Sequence, residues 1–77
     1  MKKVKLIWEF FGEDAKETAK HHATHLNEFC SKEKFSFFES GTEETTSMSI
    51  AFLTVEENNM IAVRNALRPK RGEWVVD

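Results

Sequence analysis

The chain is predicted to form an α+β sandwich, with two helices laid over one antiparallel sheet. Three observations predict it. Apolar residues recur at helical spacing in two stretches, Ala15 to Cys30 and Val55 to Leu67. Four other stretches alternate, or concentrate aromatic and β-branched residues, as strands do. The two kinds follow one another as strand, helix, strand, strand, helix, strand.

The first strand covers Val4 to Phe10, where Val4, Leu6, Trp8 and Phe10 point one way and Lys3, Lys5, Ile7, Glu9 and Phe11 the other. Gly12 breaks it. Asp14 and Glu17 have the spacing of a capping box, in which an N-terminal side chain and a Glu three residues on satisfy free helix N–H groups. The helix they open runs over 15–30, with Ala15, Ala19, Ala23, Leu26, Phe29 and Cys30 on one stripe. A second strand is expected over 35–40, where Phe is dense. A turn follows over 40–44, because Gly41 tolerates positive φ, and a third strand over 46–53 completes the hairpin. In that strand Met48, Ile50 and Phe52 alternate against Ser47, Ser49 and Ala51. Thr54 and Glu57 form a second capping box. The helix behind it carries Val55, Asn59, Ala62, Val63, Ala66 and Leu67 on one side, and Pro69 stops it because proline cannot donate to the helical ladder. The last strand spans 73–76, anchored by Trp74.

This order is the split β-α-β, or ferredoxin-like, arrangement, βαββαβ: a four-stranded antiparallel sheet with two helices on one face. It takes up residues 1–77 as one domain. A chain of 77 residues buries only roughly 60% of the surface its unfolded form exposes. With one Cys there is no internal disulfide, so seven Phe and two Trp supply much of the core. Eleven Lys and Arg against 13 Asp and Glu give a net charge of −2. That balance lacks the cationic surplus with which nucleic-acid binders displace counterions from phosphate. No apolar run approaches the ~20 residues of a membrane helix, and acidic residues interrupt the start before a leader could form. The lone Cys30 suits a reducing compartment. A cytoplasmic protein, without nucleic-acid or membrane partners, is expected.

Two helices on one face leave the other face open. The alternation places Ile7, Phe11, Phe38, Ala51, Leu53 and Val75 there, and an apolar patch of that kind marks an interface. A homodimer through the open face is expected, with Ile7, Phe11, Phe38, Leu53 and Val75 as its contacts.

All three histidines lie within five residues. His21 and His25 stand one helical turn apart, so their imidazoles can share a transition metal such as zinc. Glu17, a turn earlier, extends the ridge to three donors. The alternative for this pair is a solvated helix face. His22 falls beside the apolar stripe, as a boundary histidine bonded to backbone or water. It also admits a third reading, a small enzyme with a cavity lined by Trp8, Phe10, His22 and Trp74. At the other end of the chain Arg64, Arg68, Lys70 and Arg71 cluster at a helix C-terminus. There cations offset the helix dipole or bind an anion, which Arg forks hold bidentately.

Signatures of enzymes and carriers with this topology are missing from the sequence. The third strand lacks the paired aromatics and basic residue of RNA-recognition domains. The loop Phe11 to Asp14 has neither the Cys-x-x-Cys of copper carriers nor the Arg and Gly cradle of acylphosphatases. The residues support a non-catalytic module that binds a small ligand or partner and needs no cofactor. Metal binding is the alternative.

Overall fold

The computed structural model describes residues 2–45 and 47–75. Thr46, where the third strand was expected to begin, and Val76, at the expected end of the last, lie outside them. The elements are β1 (Lys3–Phe10), α1 (Ala15–Glu33), β2 (Glu39–Glu44), β3 (Ser49–Glu56), α2 (Glu57–Leu67) and β4 (Arg71–Val75). The strands form one antiparallel sheet in the order β2-β3-β1-β4. This is the ferredoxin-like layout that the sequence predicts.

Both helices pack on the same side of β1 and β3. Ala23, Leu26 and Cys30 of α1 and Val63 of α2 join Val4, Leu6, Trp8, Ala51, Leu53 and Val55 in one buried cluster. Every fourth or third residue of α1 is buried, from Ala15 through Ala19, Ala23 and Leu26 to Cys30, which is the expected stripe. Asp14 occupies the N-cap, but no side-chain bond closes the capping box. The other end is better held. Lys34 adopts the left-handed conformation, with its N–H on the Ser31 carbonyl, while Phe35 N–H reaches the Cys30 carbonyl at 2.9 Å. This pairing of two orphan carbonyls is a Schellman motif. Phe35 then stacks on Phe29, ring centres 5.9 Å apart.

The hairpin departs from expectation. Its two strands are tied together at Thr45 and Met48, where Thr45 N–H donates to the Met48 carbonyl at 2.8 Å and the Thr45 hydroxyl accepts from Met48 N–H at 3.2 Å. The expected turn residues Ser40 to Glu44 are instead β2. The Phe-rich 35–38 stretch is a connection, tied to the sheet by Phe38 N–H on the Thr54 carbonyl. β2 is an edge strand, and its largely polar residues suit its exposure. β3 continues to Glu56, so Thr54 and Val55 are buried strand residues and no capping box opens α2.

The faces of β3 follow from its pairing with β1. Leu6 stands opposite Leu53 and Trp8 opposite Ala51, whereas Ile7 stands opposite Phe52 and Glu9 opposite Ile50. Ala51 and Leu53 therefore face the helices, and Leu53 is fully buried. This corrects their expected place on the open face. Residues Ile50 to Val55 are buried on both sides, so alternation along them carries no information about which side is which. On the open face Ile7, Ile50 and Phe52 form a second buried cluster with Met48. Charged side chains seal it. Lys5 Nζ lies 4.5 Å from the Phe52 ring centre and 2.9 Å from Glu43. Arg71 bridges Glu9, at 3.1 Å, and Glu73. Of the five expected interface residues, Phe11, Phe38 and Val75 are exposed, Ile7 is covered and Leu53 is on the opposite side.

Candidate functional site

Two depressions on the helix side collect the chemistry-bearing residues. The first follows the N-terminal half of α1. It has a volume of about 520 Å³ and is lined by all three histidines, with Asp14, Glu17 and Phe10. Helical spacing separates the histidines into two kinds. His22 turns toward the sheet, where its ring sits 5.2 Å from Trp8 and 5.5 Å from Phe10. Its Nε2 is buried and has no protein partner among the described residues, so the expected bond to backbone is not formed by this nitrogen. Burial holds its pKa below the ordinary 6.5, and the neighbouring His25 lowers it further. At neutral pH His22 is an uncharged ring packed between two aromatics. His21 and His25 point outward and are exposed. Their rings meet edge to face with centres 4.9 Å apart.

Glu17 lines this depression with both of them. Among the described residues, however, no three His, Cys, Asp or Glu side chains converge on one point. The expected ridge of three donors is thus present as a pair with a nearby carboxylate. Of the residues proposed around a His22 cavity, Trp8 and Phe10 are in place, while Trp74 lies at the second depression. Trp8 is committed elsewhere, since its indole N–H donates to the Leu67 carbonyl at 2.9 Å. That bond satisfies a carbonyl at the end of α2 that the helix leaves free.

The second depression, of about 330 Å³, lies between α2 and β4. It exists because α2 packs on β1 and β3 and not on β4. The inner face of β4 consists of Gly72, opposite Leu6, and Trp74, opposite Val4. A Cβ on Gly72 would meet Leu6 and Val4 side chains at 3.4 Å, an ordinary contact distance, so a side chain is sterically allowed there. Its absence leaves Val4 and Leu6 as an apolar floor. Met60 and the half-exposed Trp74 form the walls and Arg64 and Lys70 the cationic rim, while Arg71 borders the groove with its guanidinium on the open face, paired to Glu9 and Glu73.

Three of the four residues expected to bind an anion therefore meet at this groove. Arg68 does not join them; it takes a left-handed backbone conformation that ends α2, its N–H on the Arg64 carbonyl at 2.8 Å. The Arg71 guanidinium is engaged by Glu9 and Glu73, which raise its pKa further, so its charge is already balanced. Arg64 and Lys70 remain as the cations for a ligand. Gly72 and Met60 were not anticipated as groove residues. A glycine inside a strand is the signal that could have found the first, because it marks close approach or missing volume.

No family model matches the chain, and no curated protein or solved structure is significantly similar to it.

Proposed function

We propose that this domain is a non-catalytic binding module whose ligand is a small organic anion with a flat apolar body, seated between α2 and β4. The groove that Gly72 leaves open carries this reading: an apolar floor and an aromatic wall lie beside two cations, Arg64 and Lys70, that form no ion pair among the described residues. Its volume falls within the range of small-ligand pockets, roughly 300–1,000 Å³. Val4, Leu6, Met60 and Trp74 would bury the ligand body. Arg64 and Lys70 would take the carboxylate, sulfonate or phosphate, with Arg64 able to bind it through two parallel N–H donors. The free, buried Cys30 suits work in the reducing cytoplasm.

Naphthoate and its uncharged analogue naphthamide test the reading. Naphthoate is expected to shift the Gly72 amide and Trp74 indole resonances saturably. Naphthamide, lacking the charge-assisted bonds, should bind roughly tenfold more weakly or worse. Arg64→Ala should remove that preference. Gly72→Val should fill the groove and abolish binding while keeping the fold. Undiminished naphthoate binding by folded Gly72→Val would refute the reading.

A further inference from the structure

We propose that His21 and His25 form a two-imidazole site for a divalent transition metal on the exposed face of α1, selective for copper(II). The site lies at the other depression and is independent of the anion groove. Residues i and i+4 lie above one another on one face, so two imidazoles at that spacing can turn their nitrogens toward a shared point. In this chain the two rings are already neighbours, with centres 4.9 Å apart. Both side chains are exposed, so a metal with its remaining water ligands can reach them without breaking the core.

The surroundings decide which ion fits. Two neutral nitrogen donors suit copper, nickel and zinc, whereas magnesium and calcium prefer oxygen ligands. Glu17, one turn before His21, and Asp14 line the same depression and favour a cation there. Lys20 borders His21 on the flanking side and opposes this in part. With two imidazoles and no third convergent donor among the described residues, water would complete the coordination sphere. Such an open site imposes no geometry of its own, so affinity should follow the intrinsic order of the metals, rising from cobalt through nickel to copper and falling at zinc.

His22 is an internal control. It is adjacent in sequence but turned away, its ring held between Trp8 and Phe10. The site therefore needs positions 21 and 25 and not histidine content as such.

The test is calorimetric titration of the untagged full chain with copper, nickel, zinc and magnesium ions near neutral pH. One equivalent of copper should bind most tightly, with magnesium undetectable. His21→Ala and His25→Ala should each weaken copper at least tenfold, whereas His22→Leu should leave it within twofold. Circular dichroism will show all three variants folded, because the first two replace exposed side chains and the third keeps an apolar ring site filled. Equal copper affinity in His25→Ala and the parent would overturn the proposal. So would loss on His22→Leu in a folded protein, or binding of magnesium as tight as copper.

Discussion

The two faces of the sheet bury apolar side chains equally well and seal them by different means. Under the helices Leu6, Leu53 and Val55 are closed off by the apolar stripe of α1 and by Val63 and Met60 of α2. On the open face Ile7 is 1% exposed and Phe52 7%, yet the side chains around them are Met48, Lys5 over the Phe52 ring, and the ion-paired Glu9, Glu43 and Arg71. Equal exposure therefore does not mean equal support. A helix is a rigid lid held by its own hydrogen bonds. A lysine or arginine stem covers apolar surface while its head stays in water, and it can shift when the surface beneath it changes. The difference is one of material: the ionic layer gives the open face a largely polar exterior, whereas the other face is closed by apolar helix stripes.

The largest effect should come from the rigid side. Leu53→Ala removes a fully buried side chain beneath both helices, and the cavity should cost about 2–5 kcal/mol in chemical denaturation. Ile7→Ala deletes similar volume on the open face. The charged stems above it can settle into the gap, so its cost should lie at the low end of that range or below. Ile7→Ala as destabilising as Leu53→Ala would break the comparison.

Next comes Trp8→Phe, which keeps an aromatic ring in the covered core and removes the bond to the Leu67 carbonyl. Leaving that helix-end acceptor unpaired should cost about 1–3 kcal/mol. Amide exchange should speed up most in the last turn of α2. Lys5→Met acts on the open face and keeps the stem over Phe52 while deleting the Glu43 ion pair. Its cost should stay below about 1 kcal/mol, and it should vanish in high salt, which screens the parent's pair. A salt-independent loss would mean that the charge holds the seal rather than covering it.

The same contrast explains what could be read from the sequence. The α1 stripe was legible because one side of that helix meets solvent and the other the core, so its period is plain. The order of elements followed from it. The face of β3 was not legible, because both sides of Ile50 to Val55 are buried and the pattern loses its polar half. The hairpin was misplaced for a related reason. Gly41 carries the stronger turn signal by composition, while the actual turn depends on the hydroxyl of Thr45, and β2 is polar because it is an edge. Arg64, Arg68, Lys70 and Arg71 were recognisable as a cation cluster, but the engagement of Arg71 by Glu9 joins positions 62 residues apart and cannot be seen in a linear reading. The separation of His22 from its two neighbours was foreshadowed by helical spacing; its unpartnered Nε2 depends on Trp8 and Phe10 filling the space around it.

The smallest effect is set by that ring. Burial, and then the neighbouring His25, hold the His22 pKa below its ordinary value in the native protein, and in the unfolded chain it returns to about 6.5. Protons therefore bind the unfolded state more readily, and stability must fall as pH drops. The contribution is intact above pH ~6.5, declines as pH falls toward the native pKa and is lost below it. Exposed His21 and His25 of the same helix, and Asp14 and Glu17, line the same depression, so the comparison needs a partner lacking only His22. His22→Leu keeps a packed side chain against Trp8 and Phe10 and removes the proton site. Denaturation in the presence of a chelator should show the parent losing stability relative to His22→Leu between pH 7 and pH 5 (a window of about two units around the unfolded pKa). Parallel pH profiles would show that Nε2 takes up its proton in the fold as easily as in water, and that the aromatic side of this depression is open to solvent after all.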